Sequence, residues 1–267
     1  MHYPYRISAK FPLFGKIMFS RKTITSCAIT FLFSHSPVQA SEPQVHTHTK
    51  VFQVNLGASR IIYNPNSRGV SLLVSNMQEY PVLIQGKVYA EDKTTIAPFI
   101  ITPPLSRLDA QQKSRLRIIR TSGQFAEDRE TLQWLCVSAI PPKDTDVWAQ
   151  DKSKNTPKDV TLNMEVSANS CIKLLLRPSA LKGSVMNAAS ELQWQRQGNT
   201  LIATNPSAFY INLNSLKAGK SSLPHLSYIA PFASRKFTLP KGASGQISWS
   251  IITDEGGTSH TFQTDLP

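Results

Sequence analysis

The chain has 267 residues, of which 40% are hydrophobic and 17% are charged, and its formal charge is +12. This length and composition suit one large or two ordinary domains with substantial cores. The basic excess is spread along the chain, with no basic helix and no run of five Lys or Arg, which argues against a nucleic-acid-binding protein. An acidic protein partner or an anionic membrane surface remains compatible with this charge.

The first 40 residues have the pattern of a secretory signal peptide. Arg21 and Lys22 form a positive segment, residues 24–33 form an apolar segment, and residues 38–40 (VQA) resemble a cleavage site. The apolar segment is too short to span a bilayer. Met18 stands where a signal peptide usually starts, so either Met1 or Met18 is the true start. We therefore expect an exported protein whose mature chain begins at Ser41.

The cysteines also fit an exported protein. Cys27 is removed with the signal peptide, which leaves Cys136 and Cys171. An even number of cysteines in an oxidising compartment favours a disulfide between them. Two unpaired thiols are the alternative, and a metal site would need more ligands than these two.

The mature chain begins with a polar arm, residues 41–50, which includes the pair His46 and His48. We interpret this arm as a mobile, solvated tail and not as a metal site. From Val51 onward, short apolar or alternating stretches are separated by turn signals at intervals of about 8–12 residues, as in β-sandwiches. The sequence predicts strands near 51–56, 60–63, 69–75, 80–89, 99–101, 115–120, 132–140, 192–195, 200–203, 208–213, 229–232, 237–239, 246–252 and 258–263. Residues 178–183 are predicted to be a hinge between two domains.

A strand of unusual length is predicted before this hinge, over residues 160–177. Its first half alternates strictly, with apolar residues at Val160, Leu162, Met164, Val166 and Ala168 and polar residues between them. Because ordinary strands have roughly 5–6 residues, this one is expected to project beyond its own sheet. Its apolar face then needs a partner. The lysine-rich segment before it, residues 149–159, is predicted to be a long mobile loop.

Motifs for catalysis are absent from the sequence. It contains no G-x-S-x-G, no G-x-G-x-x-G and no phosphate-binding loop. Glu127, Asp128 and Glu130 cluster around Arg129, which could indicate glycosidase carboxylates but is more typical of structural salt bridges. The sequence therefore predicts a binding protein and not an enzyme, with no catalytic residue, metal or cofactor.

Several segments of the chain, in order, resemble the periplasmic chaperones of the chaperone/usher pathway, most closely the long-loop (FGL) subfamily. The resemblance covers essentially the whole mature chain, and the lysine-rich loop and the cysteine pair point to the subfamily. The segments that carry it are 57–63 (GASRIIY), 80–85 (YPVLIQ), 98–105 (PFIITPPL), 107–110 (RLDA), 132–136 (LQWLC), 140–143 (IPPK), 171–175 (CIKLL) and 205–210 (NPSAFY).

This resemblance implies an all-β protein with two immunoglobulin-like β-sandwich domains in a boomerang arrangement. Residues 1–40 would be the removed signal peptide, 41–178 the N-terminal domain with its long G strand, and 179–267 the C-terminal domain. The implied function is a periplasmic chaperone that stabilises fimbrial or capsule-like fibre subunits and delivers them to an outer-membrane usher. It lends its G strand to an incomplete subunit, which is donor-strand complementation.

The resemblance also implies roles for individual residues. Arg60 and Lys173 match the cations that anchor the subunit's C-terminal carboxylate. Cys136 and Cys171 would join the F strand to the G strand. The apolar residues of the donor strand would fill the subunit's open core, although the last of them is small for this task; they are Val160, Leu162, Met164, Val166 and Ala168.

Three further residues, Glu130, Arg177 and Asp254, match interdomain salt bridges. The alternative is a secreted β-sandwich adhesin or fibre subunit, which predicts one incomplete domain and a free N-terminal donor segment. A carbohydrate-processing enzyme is a weaker alternative. No nucleic-acid partner and no membrane insertion after signal removal are expected. Without subunit, exposed donor strands could pair and cap each other.

Overall fold

The computed structural model describes residues 46–141 and 161–265, and these are folded almost entirely as β-strands. The predicted signal peptide, the whole lysine-rich loop (residues 149–159) and Val160 lie outside the described residues. The described part of the chain contains no helix with the length and hydropathy that a membrane crossing requires.

The first half forms a β-sandwich of the predicted immunoglobulin-like type. One sheet has the strand order β3-β11-β9-β5-β7 and the other has the order β2-β4-β8-β6. Apolar side chains from both sheets meet in one core, for example Leu116 and Leu135. The strands of this half are β1 (His46–Phe52), β2 (Asn55–Leu56), β3 (Arg60–Tyr63), β4 (Val70–Ser75), β5 (Val82–Ala90), β6 (Phe99–Thr102), β7 (Leu105–Leu108), β8 (Lys113–Arg120), β9 (Thr131–Ile140), β10 (Thr161–Ser167) and β11 (Asn169–Leu176).

The second half forms a smaller sandwich with its own core. Its sheets have the orders β12-β13-β17 and β15-β14-β18-β19, and β16 also pairs with β14. The rings of Trp194 and Trp249 pack at 5.1 Å between centroids in this core. The elements are α1 (Val185–Ser190), β12 (Gln193–Gln197), β13 (Thr200–Thr204), β14 (Ile211–Ala218), β15 (Ser221–Ser222), β16 (Tyr228–Ile229), β17 (Ser234–Thr238), β18 (Gln246–Ile251) and β19 (Phe262–Asp265).

The predicted long strand is present as β10 and β11, with a one-residue break at Ala168. Across this break the strand changes neighbours. The segment β11 lies between β3 and β9, whereas β10 pairs in parallel with β1. At the break, the Ala168 N–H donates to the Phe52 carbonyl at 2.8 Å, and its carbonyl accepts from the Ala139 N–H at 3.1 Å.

The prediction of a solvated tail is wrong for residues 46–50, because they belong to β1. This strand runs in register with β10, from His46 opposite Thr161 to Phe52 opposite Ser167. Its backbone groups are satisfied by a strand that lies far along the chain, so the polar composition of the arm does not prevent strand formation. The parallel pair β1–β10 is called the ribbon below.

Candidate functional site

The predicted apolar face of the ribbon is exposed. Leu162, Met164 and Val166 expose 51%, 47% and 41% of their surface, and Val51 exposes 39%. Val51 is the register partner of Val166, so the two side chains lie on the same face. A row of large exposed apolar side chains is typical of a surface that binds another molecule.

One edge of β10 is open among the described residues. Its other edge is occupied by β1, and no further described strand pairs with it. At the base of β10 the Ser167 hydroxyl donates to the carbonyl of Ala139, which lies at the end of β9. Unpaired N–H and C=O groups along an exposed strand can pair with a strand of another chain.

A disulfide joins the base of the ribbon to the sheet. Cys136 of β9 and Cys171 of β11 are register partners in the antiparallel pair and form an S–S bond of 2.04 Å. The predicted disulfide is thus confirmed. Cys171 lies three residues after the break at Ala168, so the disulfide ties the strand to its sheet close to the base of the ribbon.

The predicted cations Arg60 and Lys173 are neighbours on parallel strands. They are register partners in the pair β3–β11, and Arg60 is only 7% exposed. Arg60 Nη1 donates to the Ile252 carbonyl at 3.1 Å, while its buried Nε lacks a hydrogen-bond partner. Neither cation forms an ion pair with a carboxylate among the described residues.

Both cations have lowered pKa values. Burial, together with the charges of Arg60 and Lys93, lowers the pKa of Lys173 to about 8. Burial also lowers the pKa of Arg60, and the carboxylates of Asp254 and Glu130 partly offset this effect. Two partly dehydrated cations side by side are a good binding site for an anion, and a carboxylate can accept hydrogen bonds from both.

Aromatic rings surround the Lys173 ammonium. Its Nζ atom lies 5.6 Å from the ring centroid of Trp134 and 5.5 Å from that of Tyr228. Lys93 Nζ lies 4.1 Å from the Trp134 centroid. Tyr228 belongs to β16 of the second sandwich, so the surroundings of Lys173 include both domains.

The three residues predicted to form interdomain salt bridges are brought together. Arg177 Nε donates to Glu130 Oε1 at 2.6 Å, and its Nη1 and Nη2 atoms bind both oxygens of Asp254 at 2.6 and 2.7 Å. The second carboxylate oxygen of Glu130 accepts from the Tyr210 N–H at 2.7 Å. Burial would lower the pKa of Arg177, but Asp254 and Glu130 raise it above its usual value. Burial raises the pKa of Glu130, and Arg177 opposes this.

Other members of the predicted acidic cluster behave differently. Asp128 forms an exposed ion pair with its neighbour Arg129 at 2.8 Å, whereas Glu130 points to Arg177. A small apolar cluster of Leu132, Leu175 and Tyr210 lies beside the ionic contacts and joins the two sandwiches. Both acids thus form ion pairs, as expected of structural salt bridges.

Some residues of the region around Arg60 and Lys173, which is called the cleft below, have no signal in the sequence. Glu91 lies in the turn after β5 and accepts hydrogen bonds from Tyr210 and Tyr228 with its carboxylate. Nothing in the local pattern separates this glutamate from an ordinary exposed turn residue. Tyr210 lies in the NPSAFY segment and could have been noticed there.

Two sheets packed in each half, a basic cleft and an exposed apolar ribbon define a two-domain β-sandwich binding protein. The pili and flagellar-assembly chaperone family, PapD N-terminal domain, matches residues 53–182, and the pili assembly chaperone PapD C-terminal domain matches residues 187–263. The chain therefore belongs to the family of pilus-assembly chaperones.

Individual relatives agree with this assignment. The chain is 46% identical to the chaperone protein AggD of Escherichia coli, over 92% of this chain and 98% of AggD. The crystal structure of the E. coli chaperone DraB has a TM-score of 0.74 and 48% identity, over 83% of this chain and 100% of DraB. A chain in the Salmonella enterica complex of the SafA pilin with the SafB chaperone has a TM-score of 0.74 and 45% identity, with coverages of 83% and 100%.

These relatives decide between the predicted functions. They are named as chaperones, and both sandwiches of this chain have two packed sheets within the described residues. A fibre subunit was expected to have one incomplete domain. The protein is therefore a fimbrial chaperone, and the alternative of an adhesin or fibre subunit is not supported.

Proposed function

We propose that this chaperone binds fimbrial or capsule-like fibre subunits in the periplasm by donor-strand complementation and passes them to an outer-membrane usher. Residues 1–40 act as the export signal in this proposal. Residues 41–178 form the domain that carries the donor strand, and residues 179–267 form the second domain. The SafA pilin is bound to a chaperone in the complex named above, which supports a pilin-like partner here.

The observation that carries the proposal is the exposed apolar row beside an open strand edge. Leu162, Met164 and Val166 would enter pockets in the incomplete core of the subunit, while the backbone of β10 pairs with a subunit strand. Val160 continues the same alternation toward the tip, and Ala168 ends it at the root. Complete burial of a large apolar side chain contributes roughly 1.5–3 kcal/mol.

The two cations of the cleft give this donor strand its register. Arg60 and Lys173 would bind the C-terminal carboxylate of the subunit through charge-assisted hydrogen bonds. Because Lys173 and β10 belong to one continuous stretch of chain, fixing the carboxylate also fixes which apolar residue meets which pocket. A strand register that slips by one residue would turn the apolar row away from the subunit.

The ionic contacts of Glu130, Arg177 and Asp254 would hold the second domain in its orientation beside the cleft. Arg177 follows β11 directly, so the same strand carries the ribbon, the cation and this interdomain contact. The orientation matters for binding because Arg60 reaches the carbonyl of Ile252 in the second domain.

Co-expression with the fibre subunit encoded beside this chain tests the proposal. The wild-type chaperone should keep the subunit soluble and co-purify with it. Lys173→Ala should abolish the complex, whereas Lys236→Ala, which removes an exposed lysine of β17, should preserve it. Equal recovery of the subunit with Lys173→Ala and the wild type would contradict the proposed anchor.

A further inference from the structure

A single residue, Glu91, contacts three aromatic rings of the cleft. Its carbonyl accepts a hydrogen bond from Trp134 Nε1 at 3.3 Å. Its two carboxylate oxygens accept from the hydroxyls of Tyr210 and Tyr228, at 3.1 and 2.9 Å. Glu91 and Trp134 belong to the first sandwich and the tyrosines to the second, so Glu91 joins the two domains through aromatic side chains.

These rings are also the surroundings of Lys173. Trp134 and Tyr228 both lie within 6 Å of its ammonium, and the Tyr210 ring packs edge-on against Tyr228 at 5.4 Å. Aromatic faces at this distance attract a cation. Trp134, Tyr210 and Tyr228 together are called the aromatic cage.

The tyrosines act as hydrogen-bond donors to Glu91. Burial, together with the Glu91 carboxylate, raises the pKa of Tyr228 to about 12. Burial, followed by the charge of Glu91, also raises the pKa of Tyr210. Both hydroxyls therefore keep their protons at neutral pH, and Glu91 keeps two donors.

The turn that carries Glu91 is rigidly built. The Asp92 carboxylate accepts hydrogen bonds from the N–H groups of Thr94 and Thr95 at 2.8 and 2.9 Å and from the Thr95 hydroxyl at 2.6 Å. The Lys93 N–H closes the turn on the Ala90 carbonyl at 3.0 Å. Glu91 is thus presented to the tyrosines by a turn that these hydrogen bonds stabilise.

We propose that Glu91 is a positioning residue for the carboxylate anchor. It holds the aromatic cage against Lys173, and it thereby couples subunit binding to the contact between the two domains. This inference rests on the proposed function of Lys173. Glu91 itself does not touch the subunit's carboxylate in this proposal.

The charges around Lys173 explain why such support is needed. Arg60 of β3 and Lys93 of the turn after β5 both repel its ammonium, and Arg235 of β17 lies over the far ring, Tyr228, at 5.6 Å. Without the cage, an ammonium facing these like charges would turn toward water. The rings hold the ammonium in the cleft and leave its positive charge available. A paired carboxylate would neutralise that charge.

Variants of Glu91 and Tyr228 test the proposal in the full-length chaperone. The probe is the neighbouring fibre subunit, diluted from denaturant into a titration of chaperone. Glu91→Ala should lower the apparent affinity by about tenfold, the effect of losing hydrogen bonds to a charged group. Glu91→Gln keeps an acceptor and should lose less. Glu127→Gln removes an exposed glutamate of the same domain and should bind as the wild type does.

The aromatic ring and the hydroxyl can be separated. Tyr228→Phe keeps the ring beside Lys173 and should resemble Glu91→Gln, whereas Tyr228→Ala removes both and should bind more weakly than Tyr228→Phe. The double variant of Glu91→Ala with Tyr228→Phe should bind about as well as Glu91→Ala alone, because Glu91→Ala already breaks the hydrogen bond that Tyr228→Phe removes. Fully additive losses would overturn the proposal.

The pH profile separates positioning from a loss of stability. Glu91→Ala and Glu91→Gln remove the same charge, but only the alanine variant releases the cage and admits water to Lys173. The pKa of Lys173 should then rise toward 10.5, and binding should persist to a higher pH in the alanine variant than in the glutamine variant. Identical pH midpoints, or wild-type affinity in Glu91→Ala, would overturn the proposal. If Lys173→Ala still captures the subunit in this assay, the anchor itself is wrong, and the role of Glu91 fails with it.

Discussion

Arg60 and Lys173 stand side by side in register on the parallel strands β3 and β11, and neither has a carboxylate partner among the described residues. Two acids, Glu130 and Asp254, have charges that act on Arg60, but both of them are bound to Arg177. The cleft therefore holds two adjacent positive charges that repel each other. An incoming carboxylate relieves this repulsion.

The affinity for a subunit should fall as the pH rises above about 8. Lys173 has a pKa of about 8 in the free protein, and a bound carboxylate raises it, so binding takes up a proton in this range. Affinities measured at pH 7 and pH 9 check this. Lys173→Arg keeps its charge over the whole range and should show a much flatter profile. A steep profile in that variant would assign the titration to another group.

Lys173 should have the opposite effect on the stability of the free protein, which should rise with pH while the affinity for a subunit falls. The ordinary pKa of Lys173 is 10.5, so between about pH 8 and 10.5 the unfolded chain binds more protons than the folded chain. This group therefore makes the folded state more stable as the pH rises through that window. Urea unfolding of the wild type and of Lys173→Met, compared at pH 7.5 and pH 10, should show a smaller gain with pH in the variant.

The apolar row of the ribbon should matter for binding and not for folding. Leu162→Ala and Met164→Ala should each weaken the complex by about 1–2 kcal/mol, or roughly tenfold, because a side chain that is half exposed in the free protein becomes buried. The thermal unfolding midpoint of the free protein should stay unchanged. Glu165→Gln alters the opposite face of the same strand and serves as the control. A loss of thermal stability in Met164→Ala would mean that the row packs within its own domain.

Removal of Glu130 should strongly destabilise the contact between the domains. Its side chain is fully buried, and Glu130→Ala leaves Arg177 Nε and the Tyr210 N–H without a partner. We expect a loss of about 3–5 kcal/mol in the free energy of unfolding, measured in urea. Asp254→Ala should cost less, since that carboxylate is 27% exposed. Asp128→Asn breaks the exposed ion pair with Arg129 and should leave the unfolding curve unchanged.

Loss of the disulfide should destabilise the first domain. Cys136 and Cys171 are separated by 35 residues, and closing such a loop stabilises a protein by roughly 3–4 kcal/mol in the chain-entropy model. The double alanine variant should lose this amount in urea unfolding. Reduction of the wild type should shift its curve by the same amount, and an unshifted curve would show that the bridge contributes nothing to stability.

Much of the fold could be predicted from the sequence because burial leaves a local pattern. Strand β3 was predicted at 60–63, and the prediction of 132–140 differs from β9 (Thr131–Ile140) by one residue. In both, apolar side chains recur at strand spacing. Residues 46–50 of strand β1 were missed because they are polar and their partner strand is distant in the chain. Strand β7 was missed because two of its four residues are polar and its core contact is a single leucine, Leu108.

The functional site, like the fold, could be predicted only where a local pattern indicated it. A lysine in an apolar run indicates that Lys173 needs a partner, but the pattern does not say that Arg60 lies beside it. Only the family resemblance paired these cations in advance, as it did for Arg177 and Asp254. Glu91 was not predicted at all, because its role arises from two tyrosines of the other domain.

The central position of β11 has a consequence for how the chaperone matures. This strand lies between β3 and β9, so it is an inner strand of its sheet, yet it is the last strand of the first domain in the chain. The earlier strands cannot close that sheet without it. Strand β10 precedes it directly, so the ribbon is a covalent extension of the strand that joins β3 to the rest of the sheet. A force that a client exerts on the ribbon is therefore transmitted to the interior of the sheet and not to one of its edges.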